Sequence, residues 1–394
     1  MSRRIAVVTT SRADYSHLYW VLRDLRAHPA IDLKLIATGA QLSPEFGTTV
    51  GEIESDGFKI DERVECLLSS DTDVGMAKTI GVATLGLAEV LGRLRPDLLL
   101  LIADRYEMLA PASVALALRI PLAHIEGGDV SEGAIDDAVR NALTKMSHLH
   151  FTPTETAKRR VIAMGEESWR VHRSGAPSLD HLVRSALIPR DTLQEELGIT
   201  LADDPLLVAY HPVTLARDTL LETDALFGAL ERHTGQVLFC FPNADAGSRA
   251  LFNRAAAFCD ARADAHLFVN LHPLRYWSLL QCASTMLGNS SSGIMESPSL
   301  ALPCVNVGIR QQGRERAANI LDVEADTNAI LAALERAQSK DFKQSLQGMV
   351  NPYGDGSAAG RIVETLASVE IGDRLLIKKA VSLGIPDNEN RSGC

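Results

Sequence analysis

Short aliphatic runs recur along the chain between stretches with helical apolar spacing. Residues 5–9, 33–37, 97–102, 120–124 and 148–152 are compact and apolar, as strands buried on both faces are. Between them, 15–26, 79–94, 132–146 and 154–164 repeat apolar positions at three- and four-residue intervals. That alternation predicts a βαβ series and an α/β fold with a doubly wound parallel sheet. The turn-rich stretch from Gly175-Ala176-Pro177-Ser178 to Ile188-Pro189-Arg190 reads as a linker. The pattern then resumes, with strands expected at 206–210, 237–241, 266–270, 285–288 and 304–307. Two Rossmann-like domains are the economical reading: 1–180, then 181–357, with a helical segment 358–380 packing back on the first domain and a tail 381–394. Its polar end, 386–394, is expected to be poorly ordered.

Composition narrows the function classes. The 394 residues are 46% hydrophobic with a formal net charge of −11, a balance that argues against a general nucleic-acid or anionic-membrane surface. An anionic small molecule would have to be held by a few placed arginines and helix N-termini. The six cysteines, Cys66, Cys240, Cys259, Cys282, Cys304 and Cys394, form no CxxC pair and read as reduced thiols. The start, Met1-Ser2-Arg3-Arg4 before Ile5, is too short for a signal-peptide core, and no run approaches the roughly 18 apolar residues of a membrane span. A cytoplasmic protein is expected.

The chemistry-bearing residues cluster at the ends of the expected strands, where open α/β sheets place their ligands. His124-Ile125-Glu126-Gly127-Gly128-Asp129 puts a carboxylate beside two glycines that would let the backbone approach a ligand, and Asp136-Asp137 follows ten residues after Glu126. Asp104-Arg105-Tyr106-Glu107 follows another strand, so several acids share one edge and suggest proton transfer. After the first strand, Ser11 or Asp14 is placed to cap a helix and Arg12 to reach an anion. In the second half, His211 and the run 242–248, with Asn243, end successive strands. Gly288-Asn289-Ser290-Ser291-Ser292-Gly293 opens an expected helix carrying Glu296, a pattern suited to phosphate and ribose, and Arg310, Arg314 and Arg316 add positive charge. The chain has no GxGxxG and no GxxxxGK[ST], so dinucleotide and P-loop chemistry are not indicated, and no Cys/His cluster has zinc spacing. No cofactor and no metal are expected. His17, His28 and His233 read as surface or packing residues.

Seven ordered motifs, Ser11–Tyr15, Asp104–Glu107, His124–Gly128, His211-Pro212, Asn243–Ser248, Gly288–Gly293 and Gly308–Arg314, together resemble the hydrolysing UDP-N-acetylglucosamine 2-epimerases over about residues 4–370. The resemblance implies a glycosyltransferase-B arrangement, two Rossmann-like domains facing across a cleft, and a homodimer or homotetramer acting on a nucleotide sugar. It implies anti elimination of UDP to a 2-acetamidoglucal, then addition of water at C1 and protonation of C2 from the other face, which yields free N-acetylmannosamine for sialic-acid-type biosynthesis. Asp104, Glu126 and Asp136 match the family's acidic catalytic positions, with Asp136 against Asp137 open and the division of acid and base roles open. Arg12, Ser16, Arg105, His211, Asn243, Ser290, Ser291, Glu296 and Arg310 would hold the nucleotide sugar, with His211 also assisting phosphate departure. UDP-2,4-diacetamido-2,4,6-trideoxyglucose and GDP-N-acetylglucosamine, in legionaminic acid routes, are the alternative substrates, and a glycosyltransferase of the same fold is the competing activity.

Overall fold

The computed structural model describes residues 2–44, 48–68, 72–132, 134–212, 222–241 and 248–380; the tail beyond 380 and the 242–247 run with Asn243 lie outside the described residues. The first half runs β1 (Arg3–Thr9), α1 (Arg12–Ala27), β2 (Ile31–Thr38), α2 (Val50–Ser55), β3 (Glu62–Val64), α3 (Asp73–Leu94), β4 (Leu98–Ile102), α4 (Leu109–Leu118), β5 (Leu122–Ile125), α5 (Asp136–Met146), β6 (Leu149–Thr152), α6 (Glu155–Ala163) and β7 (Val171–Arg173). The second half continues through α7 (Asp180–Arg184), α8 (Arg190–Leu197), β8 (Leu206–Ala209), α9 (Thr223–Arg232), β9 (Val237–Phe241), α10 (Ser248–Asp260), β10 (Ala265–Val269), α11 (Pro273–Cys282), β11 (Thr285–Gly288), α12 (Ser292–Met295), β12 (Cys304–Val307) and β13 (Ile320–Val323). It ends with α13 (Thr327–Gln338), α14 (Lys340–Ser345), α15 (Ala358–Ser368) and α16 (Asp373–Leu376).

Two parallel sheets result, ordered β3-β2-β1-β4-β5-β6-β7 and β10-β9-β8-β11-β12-β13. The strand order reverses direction between β1 and β4 in one sheet and between β8 and β11 in the other, and such switch points open a crevice at the strands' C-terminal ends. The central strands β4, β5, β8 and β11 are buried along their whole length, because helices cover both faces. Each sheet nucleates its own core, one around Val7, Leu100 and Leu22, the other split across the two faces of the second sheet.

Two expectations change here. The 175–190 stretch is a packed connection rather than a loose linker: Pro177–Leu179 forms a 3₁₀ turn running straight into α7, and Asp180 and His181 are buried. Asp180 accepts hydrogen bonds from the backbone N–H groups of Ala358 and Ala359 at 2.8 and 2.9 Å, and so caps α15 as that helix returns to the first core. The second change concerns α3, which, among the described residues, is the one helix long and apolar enough to cross a membrane; its inner face nonetheless belongs to the first domain's core through Ala83, Leu87 and Leu91. The described cysteines are free, with Cys66, Cys240 and Cys304 buried.

Candidate active site

A cavity of about 240 Å³ lies where the two switch points face each other. From the first sheet, the turn after β1 supplies Arg12 and Ser16, the turn after β4 supplies Asp104 and Arg105, and the turn after β5 supplies Glu126, with Asp136 at the start of α5. From the second sheet come His211 after β8, Ser290 and Ser291 after β11, Glu296 after α12, and Arg310 after β12. Every predicted site residue among the described ones therefore lines one space.

The carboxylates are presented by sharp turns. Ala103 and Glu126, directly after β4 and β5, both sit in the left-handed region with φ of +58° and +67°, a strained conformation for residues with a Cβ. The strain is held by backbone hydrogen bonds: Ala103 N–H donates to Ile125 O at 2.9 Å and Glu126 N–H to Phe151 O at 2.8 Å. Asp104 pairs with the buried Arg140 of α5 rather than with its neighbour Arg105, which pairs instead with Glu107 at 3.0 Å. Burial alone would raise the Asp104 pKa, but Arg140, Arg314 and Arg310 outweigh it and hold the group below the usual carboxylate range. Asp104 is thus kept ionised.

Asp136 and Asp137 send their side chains to different surroundings. Asp137 accepts from the Ser131 backbone N–H at 3.0 Å and from Asn141 Nδ2 at 3.1 Å, which is helix-terminus work. Asp136 lines the cavity, with an Arg310 guanidinium nitrogen at 3.9 Å.

His17 is the residue that sequence reasoning missed. It projects from α1 into the cavity, with Nδ1 2.9 Å from Glu126 and Nε2 3.7 Å from Glu296 of the opposite domain. Burial alone would lower its pKa, but Glu126 and then Glu296 and Asp14 hold it at about 9. A histidine raised in this way stabilises the fold fully below its ordinary value of 6.5 and loses that contribution as pH rises through about 9. His17→Gln should therefore cost more stability near pH 6 than near pH 9.5, by up to about 3 kcal/mol. Urea unfolding at the two pH values measures this, and an equal cost at both would remove His17 as a buried cation. Spacing offered one signal: Asp14 and His17 fall on one helical face, and Asp14 is pinned inward, accepting from Thr9 Oγ1 and Thr10 N–H in addition to the Ser11 N–H of its capping box.

The glycines also have a packing reason. A Cβ on Gly128, whose φ is +79°, would stand 2.4 Å from Ala157 O, so this glycine lets the turn close on α6. Gly293 likewise meets Cys304 Sγ. The serine turn does not open a long helix either: α12 has four residues and passes into a 3₁₀ turn over Ser297–Leu300. What shapes this cradle is Asn289, which exchanges two hydrogen bonds with the His211 backbone at 2.7 and 2.8 Å, while Arg310 Nη1 and Gln311 Nε2 donate to its carbonyl oxygen. Arg310 Nε is buried without an acceptor among the described residues. Arg314 bridges the domains, 3.3 Å from Asp129 and donating to Val130 O at 3.0 Å, whereas Arg316 pairs with Asp322 outside the cavity.

The family model described as UDP-N-acetylglucosamine 2-epimerase matches residues 23–367. A "GDP/UDP-N,N'-diacetylbacillosamine 2-epimerase (hydrolyzing)" of Campylobacter jejuni is 37% identical over 97% of this chain and 99% of that protein. This chain belongs to the hydrolysing UDP-N-acetylglucosamine 2-epimerase family. A second epimerase relative, the "UDP-N,N'-diacetylbacillosamine 2-epimerase (hydrolyzing)" of Legionella pneumophila, is 37% identical over 96% of this chain and 99% of its own. The fold agrees: a Methanocaldococcus jannaschii UDP-GlcNAc 2-epimerase, solved with UDP-GlcNAc and UDP, superposes with a TM-score of 0.77 over 92% of this chain and 99% of that one, at 19% identity.

Proposed function

We propose that the chain converts a nucleoside-diphosphate 2-acetamido sugar to its 2-epimer, released as free sugar, with loss of the diphosphate. The observation that carries this reading is the meeting of Asp104, Glu126 and Asp136 in one cavity with Arg310, whose buried Nε lacks an acceptor. A diphosphate oxygen supplies that acceptor, and acids on the other wall exchange protons with the sugar. Arg12, Ser16, Arg105, His211, Asn243, Ser290, Ser291 and Glu296 would bind and orient the nucleotide sugar, and His211 would assist phosphate departure.

In the first half-reaction a carboxylate takes the C2 proton as the C1–O bond to the diphosphate breaks, leaving the 2-acetamidoglucal. In the second, water adds its oxygen to C1 while C2 receives a proton from the opposite face. Two differently held acids suit two faces: Asp104 is kept ionised by Arg140, and Glu126 stands beside a histidine that carries a proton below pH about 9.

The two 37% relatives favour UDP-2,4-diacetamido-2,4,6-trideoxyglucose as the sugar, and UDP-N-acetylglucosamine is the second reading, after the matching family model. A cytoplasmic location fits the supply of nucleotide sugars. Incubation with each sugar nucleotide in deuterium oxide, followed by NMR, decides between them. The expected product is the free 2-epimer with deuterium at C2; sugar transferred to an acceptor, or UDP bound without turnover, would overturn the reading.

A further inference from the structure

We propose that His17 is a positioning residue of the proposed reaction: as an imidazolium set between Glu126 and Glu296, it holds the acid–base carboxylate in the cavity and ties it to the wall that would take the nucleotide. This inference rests on the reading of the site given above. The ring lies between acceptors from different domains, with Nδ1 2.9 Å from Glu126 Oε1 and Nε2 3.7 Å from Glu296 Oε1. A neutral imidazole carries one N–H and could serve only one of them, whereas the cation presents a proton to each. Both carboxylates are buried, and among the described residues His17 is the one cation in ion-pair reach of either. Without that charge, two buried carboxylates would share one space, and the lower-energy state has one of them protonated. A Glu126 protonated in this way cannot act as a base.

The contacts continue into the second domain. The Tyr276 hydroxyl, at the cavity wall, donates to Ser292 Oγ at 2.7 Å, and the Ser292 hydroxyl donates to Glu296 Oε2. One Glu296 oxygen is thereby engaged by Ser292, and the other faces His17. Through one ring, the acid–base wall and the nucleotide wall are held in fixed relation. The other charged and titratable groups near the ring do not compete for this task. Asp14, one turn back on α1, is taken up by Thr9, Thr10 and Ser11. His181 of α7, whose Nε2 lies 2.9 Å from Ser16 O, is held neutral, burial lowering its pKa to about 4. Asp104 and Asp136, further round the wall, face Arg140 and Arg310. The charge between Glu126 and Glu296 is therefore left to His17, which carries it below pH about 9.

The pH dependence of turnover and the titration of the ring test this together. In the wild type, kcat/KM is expected to fall above pH about 9 as the ring loses its proton. His17→Gln keeps a hydrogen-bonding side chain without the charge; it should lower kcat by about 10- to 100-fold at pH 8 and show no such alkaline fall. His17→Lys returns a cation and should recover kcat to within about tenfold of wild type, with the fall moved to higher pH. A purely structural role would lower activity equally at every pH and gain nothing from lysine. Titration of the His17 ring by NMR in the nucleotide-free protein needs no turnover. Its midpoint is expected to drop by about one pH unit in Glu296→Gln, a substitution in the other domain. Given wild-type turnover, an alkaline fall retained in His17→Gln, no gain from His17→Lys, or a midpoint indifferent to Glu296→Gln would each overturn this inference alone. A wild type that turns over neither sugar nucleotide would overturn the epimerase reading, and this inference with it.

Discussion

Replacing Glu126 by Gln is expected to lower kcat by about 10²–10⁴-fold while leaving UDP affinity within about threefold. Gln has the shape of Glu and can still hydrogen-bond His17 Nδ1, now 2.9 Å from the Glu126 carboxylate, so the turn after β5 keeps its geometry. What it loses is proton exchange. Of the residues proposed to hold the nucleotide, His211, Ser290 and Arg310 line the opposite wall, which the substitution does not touch. Steady-state turnover and calorimetric titration with UDP measure the two quantities separately. Product analysis adds the step: UDP accumulating with a glycal places Glu126 in the second half-reaction, and no UDP release places it in the first. Unchanged turnover would remove Glu126 from the acid–base set.

Gly288→Ala should be the most damaging single methyl group in the second domain. Gly288 pairs with Ala209 across β11 and β8 at φ +143°, where an added Cβ would stand 2.0 Å from Ala209 O. The obstruction is backbone in the middle of a buried sheet, so no side chain can swing aside. The same Ala209 oxygen accepts from Asn289 and Ser290 N–H groups at 3.2 Å each, so any shift that relieves the clash dismantles the serine cradle. A loss of at least about 3 kcal/mol in urea unfolding is expected, with UDP binding lost in whatever remains folded. A variant with wild-type stability and UDP affinity would refute this account of the turn.

The central strands were legible because their apolar runs match strands buried on both faces. Val237–Phe241, Thr285–Gly288 and Cys304–Val307 form where the pattern places them. The strands it missed are sheet edges: Glu62–Val64 and Val171–Arg173 have three residues each, and Ile320–Val323 is half exposed, so none carries a long apolar run. α4 was missed for the opposite reason. Leu109-Ala110-Pro111-Ala112 through Leu118 is apolar all round, and periodicity cannot separate such a helix from a buried strand. At the site, strand ends located the carboxylates, while partners remote in sequence stayed hidden. Arg140 reaches Asp104 across 36 residues and His17 reaches Glu126 across 109, so each pairing exists only once the sheet has formed.

The chain passes between the domains at 175–177 and returns at 353–358, and the two passages lie side by side, with Ala176 N–H donating to Tyr353 O at 2.7 Å. A single tether would let one domain swivel freely against the other. Two passages joined by a hydrogen bond would instead restrict relative motion of the two halves to a swing about that line. A swing of that kind would open the cavity while keeping the wall bearing Glu126 and the wall bearing His211 in lateral alignment.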